Sequence, residues 1–303
     1  MSRLPNLIIA GVNKAGTTSL FSYLAKHPDV GVSSVKETCY YLPLRYGRNT
    51  DPISVYKKYF NNVQDRMVVL ESTPGYFYGG PSLINRINED IPGVKILLVL
   101  RDPVDRFFSF YKFKKNMLEL DEGITAKSYY EKCMAMNASE LSNDAFNAYF
   151  GLEGGLYYKY IDQWVDVFDK RLKIMFFDDL KSNPNMAVKN VCDWMSIDYE
   201  RYPQFSFDIE NKTVAYKNRT LQKLALGVNQ SMEGFFRANP SVKRVLRDLY
   251  YSVNSSSDSD SLPRDSLSEV KTLLRQYYSE PNSLLKTCLM KQDADIVLPS
   301  WIQ

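Results

Sequence analysis

Short apolar runs alternate along this chain with stretches whose apolar residues recur every three or four positions. Leu7–Ala10 reads as a buried strand, and Thr17–Lys26 as a helix that His27-Pro28 stops. Val30–Ser33 is a short strand, and Met67–Leu70 another, ending at Glu71-Ser72-Thr73-Pro74. Ser82–Ile91 places Leu83, Ile84, Ile87 and Ile91 on one helical face. Lys95–Leu100 is the clearest strand, and it ends at Arg101-Asp102-Pro103. A proline there suits the first turn of a new helix, one that carries Phe107, Phe108 and Tyr111. A helix over 154–168 (Leu156, Tyr160, Trp164, Phe168), a strand over Leu172–Phe177 and a helix over Asn185–Met195 follow. Beyond about residue 205 the pattern weakens, a polar loop spans about 254–262, and Ser266–Leu285 returns to helical spacing. Short apolar strands separated by helices predict an α/β fold with a parallel sheet flanked by helices on both faces. The expected organisation is a single domain over 1–303, with a core over about 5–205 and a C-terminal helical part over about 220–290.

Composition narrows the function classes. Net charge is only +3 in 303 residues, so charge alone implies no nucleic acid or other polyanion as partner. Cys39, Cys133, Cys192 and Cys288 are widely separated, with no metal-ligand spacing, and read as thiols in a reducing compartment. The sole histidine, His27, leaves little room for a histidine-based triad or a multi-histidine metal site. No leader precedes the first strand, and no run approaches the ~18 apolar residues of a membrane span, so the expectation is a cytoplasmic chain.

The candidate chemistry begins at Gly11-Val12-Asn13-Lys14-Ala15-Gly16-Thr17-Thr18-Ser19-Leu20. It follows a strand and opens a helix, the geometry in which backbone N–H groups and the helix dipole hold a phosphate. A nucleotide-hydrolysing loop of the G-x-x-x-x-G-K-[ST] type has its lysine after the second glycine. Here Lys14 precedes Gly16 and Thr17 takes the lysine's place, so the loop is P-loop-like without being that loop. Lys14, Glu71 and Arg101 all fall at strand C-terminal ends, where ligands of such sheets sit.

Gly11-x-x-Lys14-x-Gly16-Thr17-Thr18-Ser19-Leu20 resembles the 5′-phosphosulfate loop of sulfotransferases that use 3′-phosphoadenosine 5′-phosphosulfate (PAPS). Arg101-Asp102-Pro103-x-x-Arg106-x-x-Ser109-x-Tyr111 resembles their 3′-phosphate motif. Glu71-Ser72-Thr73-Pro74-Gly75-Tyr76-Phe77 and Gly155-x-Tyr157 resemble segments of the carbohydrate, heparan sulfate-type branch. Tyr216-Lys217-Asn218-Arg219-Thr220 resembles the loop that closes over the 3′-phosphate there, with Asn218 in place of a glycine. The likeness covers about residues 5–225 and the last helix.

The resemblance implies a PAPS-dependent transferase acting without a metal. Lys14, Ala15, Gly16, Thr17, Thr18 and Ser19 would hold the 5′-phosphosulfate, and Arg101 and Ser109 the 3′-phosphate, with Lys217, Asn218 and Arg219 closing over it. Lys14 would neutralise charge growing on the leaving oxygen, as in phosphoryl transfer. Glu37, in Lys36-Glu37-Thr38-Cys39-Tyr40-Tyr41, resembles the branch's base, and Lys36 would hold the acceptor or the sulfuryl oxygens. Ser72 stands where the heparan-modifying enzymes carry a lysine, which weighs against a long polyanionic acceptor. A small-molecule or glycan acceptor is expected: a sugar or glycolipid hydroxyl first, then an amine or a secondary metabolite. A P-loop kinase-like protein and a non-catalytic nucleotide-binding module are the readings from other classes.

Overall fold

The computed structural model describes residues 3–63, 65–203, 215–232, 240–256 and 264–303. Five strands, β1 (Leu7–Gly11), β2 (Val30–Val32), β3 (Val68–Ser72), β4 (Lys95–Leu100) and β5 (Leu172–Phe176), form one parallel sheet in the order β2-β3-β1-β4-β5. Their near-continuous apolar sequences suit strands covered on two sides, and β1 and β3 are buried at every position. The chain visits β2 and β3 on one side of β1 and then crosses to β4 on the other. That reversal puts the topological switch point at β1, and Leu7↔Lys95 through Gly11↔Leu98 aligns the ends of β1 and β4 at one edge.

Helices fill the crossovers. Helix α1 (Thr17–Leu24) follows β1, α2 (Gly80–Asp90) follows β3, and α3 (Pro103–Asn116) follows β4. Pro103 sits in the first turn of α3, and the Asp102 carboxylate caps it by accepting from the Val104 N–H at 2.8 Å. Next come α4 (Ala126–Met134), α5 (Tyr158–Phe168) and α6 (Pro184–Met195). On α5, Ile161, Trp164 and Phe168 form the buried face, and the Trp164 indole donates to the Phe77 carbonyl at 3.0 Å. The predicted start of this helix at 154 falls instead in a short 3-10 turn, Glu153–Gly155. A side chain at Gly155 would meet the Tyr278 hydroxyl at 2.5 Å, so close packing sets the backbone there.

Past residue 205 the described residues include three helices: α7 (Arg219–Ser231), α8 (Pro240–Asn254) and α9 (Arg264–Gln292). A two-stranded antiparallel ribbon pairs Ala215–Tyr216 with Ser255–Ser256, inside the stretch read as a polar loop. The rest of that expected loop lies outside the described residues. The four cysteines form no disulfide.

Two apolar clusters hold the molecule together. The larger surrounds the sheet and includes Trp164, Leu285, Leu289 and Ile302. The smaller joins α3 and α4 to α9 through Phe107, Tyr111, Tyr129, Leu274 and Tyr278. Arg106, fully buried, donates to the Gly151 carbonyl at 3.0 Å, and a side chain at Gly154 would collide with its guanidinium.

β1 leaves no room for a larger residue at its end. An added Cβ at Gly11 would lie 2.6 Å from the Phe77 Cβ and 3.3 Å from Leu98. Gly11→Ala is expected to cost about 1–3 kcal/mol, the usual penalty of overpacking, read as a fall in the urea midpoint with an unchanged m-value.

Candidate active site

The loop between β1 and α1 turns sharply because Lys14 and Gly16 both adopt left-handed backbone (φ +71° and +79°). An alanine at Gly16 would be strained and would place its Cβ 2.8 Å from the Phe177 ring. The first turn of α1 carries no side-chain cap and no acidic residue. Its N–H groups lack intrahelical acceptors by construction, and Gly16, Thr17, Thr18 and Ser19 all line one large cavity. Ala15 is buried behind the loop, with its N–H directed to the Val12 carbonyl at 3.3 Å.

Two cations converge on this turn. The Lys14 ammonium lies 4.3 Å from the centre of the Phe113 ring on α3. Burial, followed by the nearby Arg101 charge, lowers its pKa to about 8, so it stays protonated at neutral pH. The Arg101 guanidinium, at the end of β4, donates from Nη1 to the Lys14 carbonyl at 2.9 Å and stacks 4.6 Å over the Phe177 ring. Its buried Nε has no protein partner. Burial lowers the Arg101 pKa, yet the guanidinium stays charged. Ser109, two turns into α3, faces the same cavity as Lys14 and Arg101.

The opposite wall carries the segment after β2. Glu37 adopts left-handed backbone (φ +63°) and donates its N–H to the Ser72 carbonyl at 3.0 Å. Its carboxylate is half exposed and accepts a hydrogen bond from the Lys36 ammonium, and both side chains line the cavity. Behind them Glu71 is fully buried at the end of β3. Glu71 Oε1 accepts from Thr73 Oγ1 at 2.6 Å and from Thr38 Oγ1 at 3.1 Å, while Oε2 has no partner. Thr38 also meets the Tyr76 hydroxyl at 3.2 Å, and Thr73 Oγ1 accepts from the Cys39 N–H at 3.2 Å. This network ties the Glu37 segment to the sheet.

The cavity measures about 1110 Å³. It gathers Lys14, Gly16, Thr17, Thr18, Ser19, Lys36, Glu37, Arg101 and Ser109, so loops far apart in sequence meet at the sheet's C-terminal edge. The 217–219 segment is placed differently. Tyr216 lines the cavity, but Lys217, Asn218 and Arg219 do not. Asn218 Oδ1 caps α7 by accepting from the Leu221 N–H at 3.0 Å, and Arg219 pairs with Glu122 at 3.4 Å. His27 is buried away from the cavity, with Nε2 2.9 Å from the Asp198 carbonyl and Nδ1 accepting from the Asp29 N–H, which makes it a structural residue. Sequence reasoning missed Phe113 and Phe177, the two rings that position the cations, and the α7–α8 wall. Among the described residues, no group of three or more His, Cys, Asp or Glu side chains could hold a metal ion.

A family model described as a sulfotransferase domain matches residues 4–241. Carbohydrate sulfotransferase 15 of Rattus norvegicus is 25% identical over 83% of this chain and 52% of its own length. The membrane-associated sulfotransferase kil1 of Dictyostelium discoideum is 32% identical over 38% of this chain and 24% of its own. The chain thus spans about half or less of the length of these curated relatives. A crystal structure of a sulfotransferase from Alicyclobacillus acidocaldarius superposes with a TM-score of 0.58 at 23% identity, covering 73% of this chain and 90% of that one, and shares the fold. The cytoplasmic placement expected from the sequence is corrected by these relatives, one of which is membrane-associated by name. Among the described residues no helix is long and apolar enough to cross a membrane, which says nothing further about location.

Burial raises the Glu71 pKa from 4.5 to about 7, against the opposing Thr73 and Thr38 hydrogen bonds. A carboxyl raised on folding contributes stability fully present below pH 4.5 and lost as pH rises through 7. Glu71→Gln is expected to remove that slope, gaining stability on wild type between pH 5 and pH 8 in denaturant titrations. Parallel curves for the two proteins would show that Glu71 ionises as in solution.

Proposed function

The chain belongs to the sulfotransferase domain family, and from that premise we propose that it moves the sulfuryl group of PAPS to a hydroxyl of a sugar, glycolipid or similar small acceptor. The observation that carries this reading is the convergence of Lys14, the uncapped first turn of α1, Arg101, Ser109 and Glu37 on one cavity. Residues 1–303 act as one domain in this reading, with the cavity between the sheet edge and the C-terminal helices.

The turn Gly16–Ser19 holds the 5′-phosphosulfate through backbone N–H groups and the threonine hydroxyls. Arg101 and Ser109 hold the 3′-phosphate, and the unpartnered Arg101 Nε is a donor suited to a phosphate oxygen. Lys217, Asn218 and Arg219 would approach that phosphate only by a movement of α7, since they lie off the cavity wall. Glu37 takes the proton from the acceptor hydroxyl as its oxygen bonds to sulfur. The sulfur–oxygen bond to the 5′-phosphate breaks, and its electron pair stays on the phosphate oxygen, where Lys14 neutralises the charge. Lys36, hydrogen-bonded to Glu37, supplies the positive charge that Ser72 lacks, against the sulfuryl oxygens or the acceptor.

Calorimetric titration with adenosine 3′,5′-bisphosphate and with ATP, each with and without magnesium, tests the donor site. Tight metal-independent binding of the bisphosphate is expected, and a preference for magnesium–ATP would overturn the reading. Glu37→Gln should abolish transfer of labelled sulfuryl group while leaving bisphosphate affinity nearly unchanged; equal loss of both would remove Glu37 as base. Lys14→Ala should slow turnover by on the order of 100-fold, the cost of losing one preorganised charge. A near-wild-type rate would refute its role.

A further inference from the structure

The segment that carries Glu37 continues along the cavity wall. Lys36, Glu37, Cys39, Leu42, Arg45 and Tyr46 all line it, and Arg45 closes the short helical turn Leu42–Arg45. The Arg45 guanidinium sits among aromatic rings. Its Cζ lies 4.3 Å from the centre of the Phe150 ring, 5.2 Å from that of Tyr46 and 5.4 Å from that of Tyr78. Phe150 and Tyr78 are buried, so the core fixes two of the three rings. A guanidinium held by ring faces keeps the N–H donors along its edge available. Among the described residues Arg45 makes no hydrogen bond and no ion pair, so the chain uses none of those donors.

The neighbouring carboxylates are committed elsewhere. Tyr46 is shared with Arg48 (5.3 Å), and Arg48 holds Asp144 at 2.5 Å. Tyr78 packs 5.2 Å from Tyr160, whose hydroxyl donates to Glu153 at 2.9 Å, and Glu153 is paired with Lys159 at 3.0 Å. The other described cations on the wall have different partners or places. Lys36 is paired with Glu37, Lys114 with Glu119 at 2.6 Å and Arg247 with Asp248 at 3.2 Å, while Lys14 and Arg101 flank the turn after β1. Arg45 is thus a preoriented cation on the Glu37 side of the cavity that lacks an anion.

We infer that Arg45 sets acceptor specificity: the acceptor carries an anionic group, a carboxylate or a phosphate, that the Arg45 guanidinium receives while the acceptor hydroxyl lies at Glu37. This rests on the transferase reading above and names the acceptor class for the same site. Either anion presents two oxygens to the guanidinium fork. The rings already restrict the side chain, so binding sacrifices little of its freedom. An uncharged acceptor of the same shape forgoes this contact, and that difference is the discrimination.

The test uses the full chain saturated with adenosine 3′,5′-bisphosphate, so that the cations at the donor end are occupied. Calorimetry compares methyl β-glucuronide with methyl β-glucoside, and glucose 6-phosphate with glucose. In at least one pair the anion should bind about tenfold more tightly, the effect of hydrogen bonds to a charged group, and the responding pair tells carboxylate from phosphate. Arg45→Gln should bring that ratio to about one while bisphosphate affinity stays within about twofold, as for separate sites. On the unsubstituted protein, phenylglyoxal labelling of Arg45, mapped by peptide mass, should be blocked by the preferred anion and not by its neutral counterpart. That measurement stands whether or not the variant folds. Equal or unmeasurable affinities in both pairs, a preference that Arg45→Gln retains, or labelling of Arg45 that the anion leaves unchanged each overturn the inference. Failure of the bisphosphate itself to bind would instead count against the transferase reading, so the two failures are separable.

Discussion

The hydrogen bond from the Arg101 guanidinium to the Lys14 carbonyl is the contact on which the site depends. It exists because β1 and β4 are neighbours in a parallel sheet whose register brings their ends to one edge. Two cationic residues separated by almost a third of the chain are thereby fixed within one hydrogen bond of each other. Neither is attached to a flexible tether. Arg101 leaves a strand end and is pinned against Phe177, and Lys14 sits in a turn whose left-handed residues permit one path. Burial lowers the pKa of both cations, and the Arg101 charge adds to the lowering at Lys14.

The acceptor side is organised by different physics. Here the sheet end holds a neutral-leaning, buried carboxyl that organises Thr38, Thr73 and Tyr76, and these hold the Glu37 segment in a strained backbone conformation. The half-exposed Glu37 keeps contact with solvent and with Lys36. The two glutamates thus have opposite environments, one buried among hydroxyls and the other open to water.

Much of this was legible in the sequence because the sheet is built from short, wholly apolar runs. Lys95–Leu100 matches its strand residue for residue, and the strands around Leu7, Val68 and Leu172 lie within a residue or two of their expected bounds. The turn after β1 was legible because glycine and lysine at fixed positions after a strand leave few alternatives. The rest depended on contacts between distant segments. Nothing local marks Phe113 or Phe177 as the rings beneath Lys14 and Arg101. Glu71 reads as a strand-end carboxylate, and only the fold shows it buried. Within the expected C-terminal helical part, the apolar residues that α7 and α8 turn toward solvent were not singled out, although Val242, Val245, Leu246, Leu249 and Val253 carry a helical period. The 217–219 segment was read by likeness, and its cap and ion pair with Glu122 follow from tertiary placement alone.

The division of the interior into two apolar clusters has a consequence for how the chain matures on the ribosome. Helix α3, which bears Ser109 and the ring under Lys14, buries its second face against Tyr129 of α4 and, later in the chain, against Val270, Leu274 and Tyr278 of α9. The α9 residues are translated long after α3 has emerged. Until then the part of this apolar cluster that α9 covers faces water, an interval in which a nascent chain is prone to aggregate.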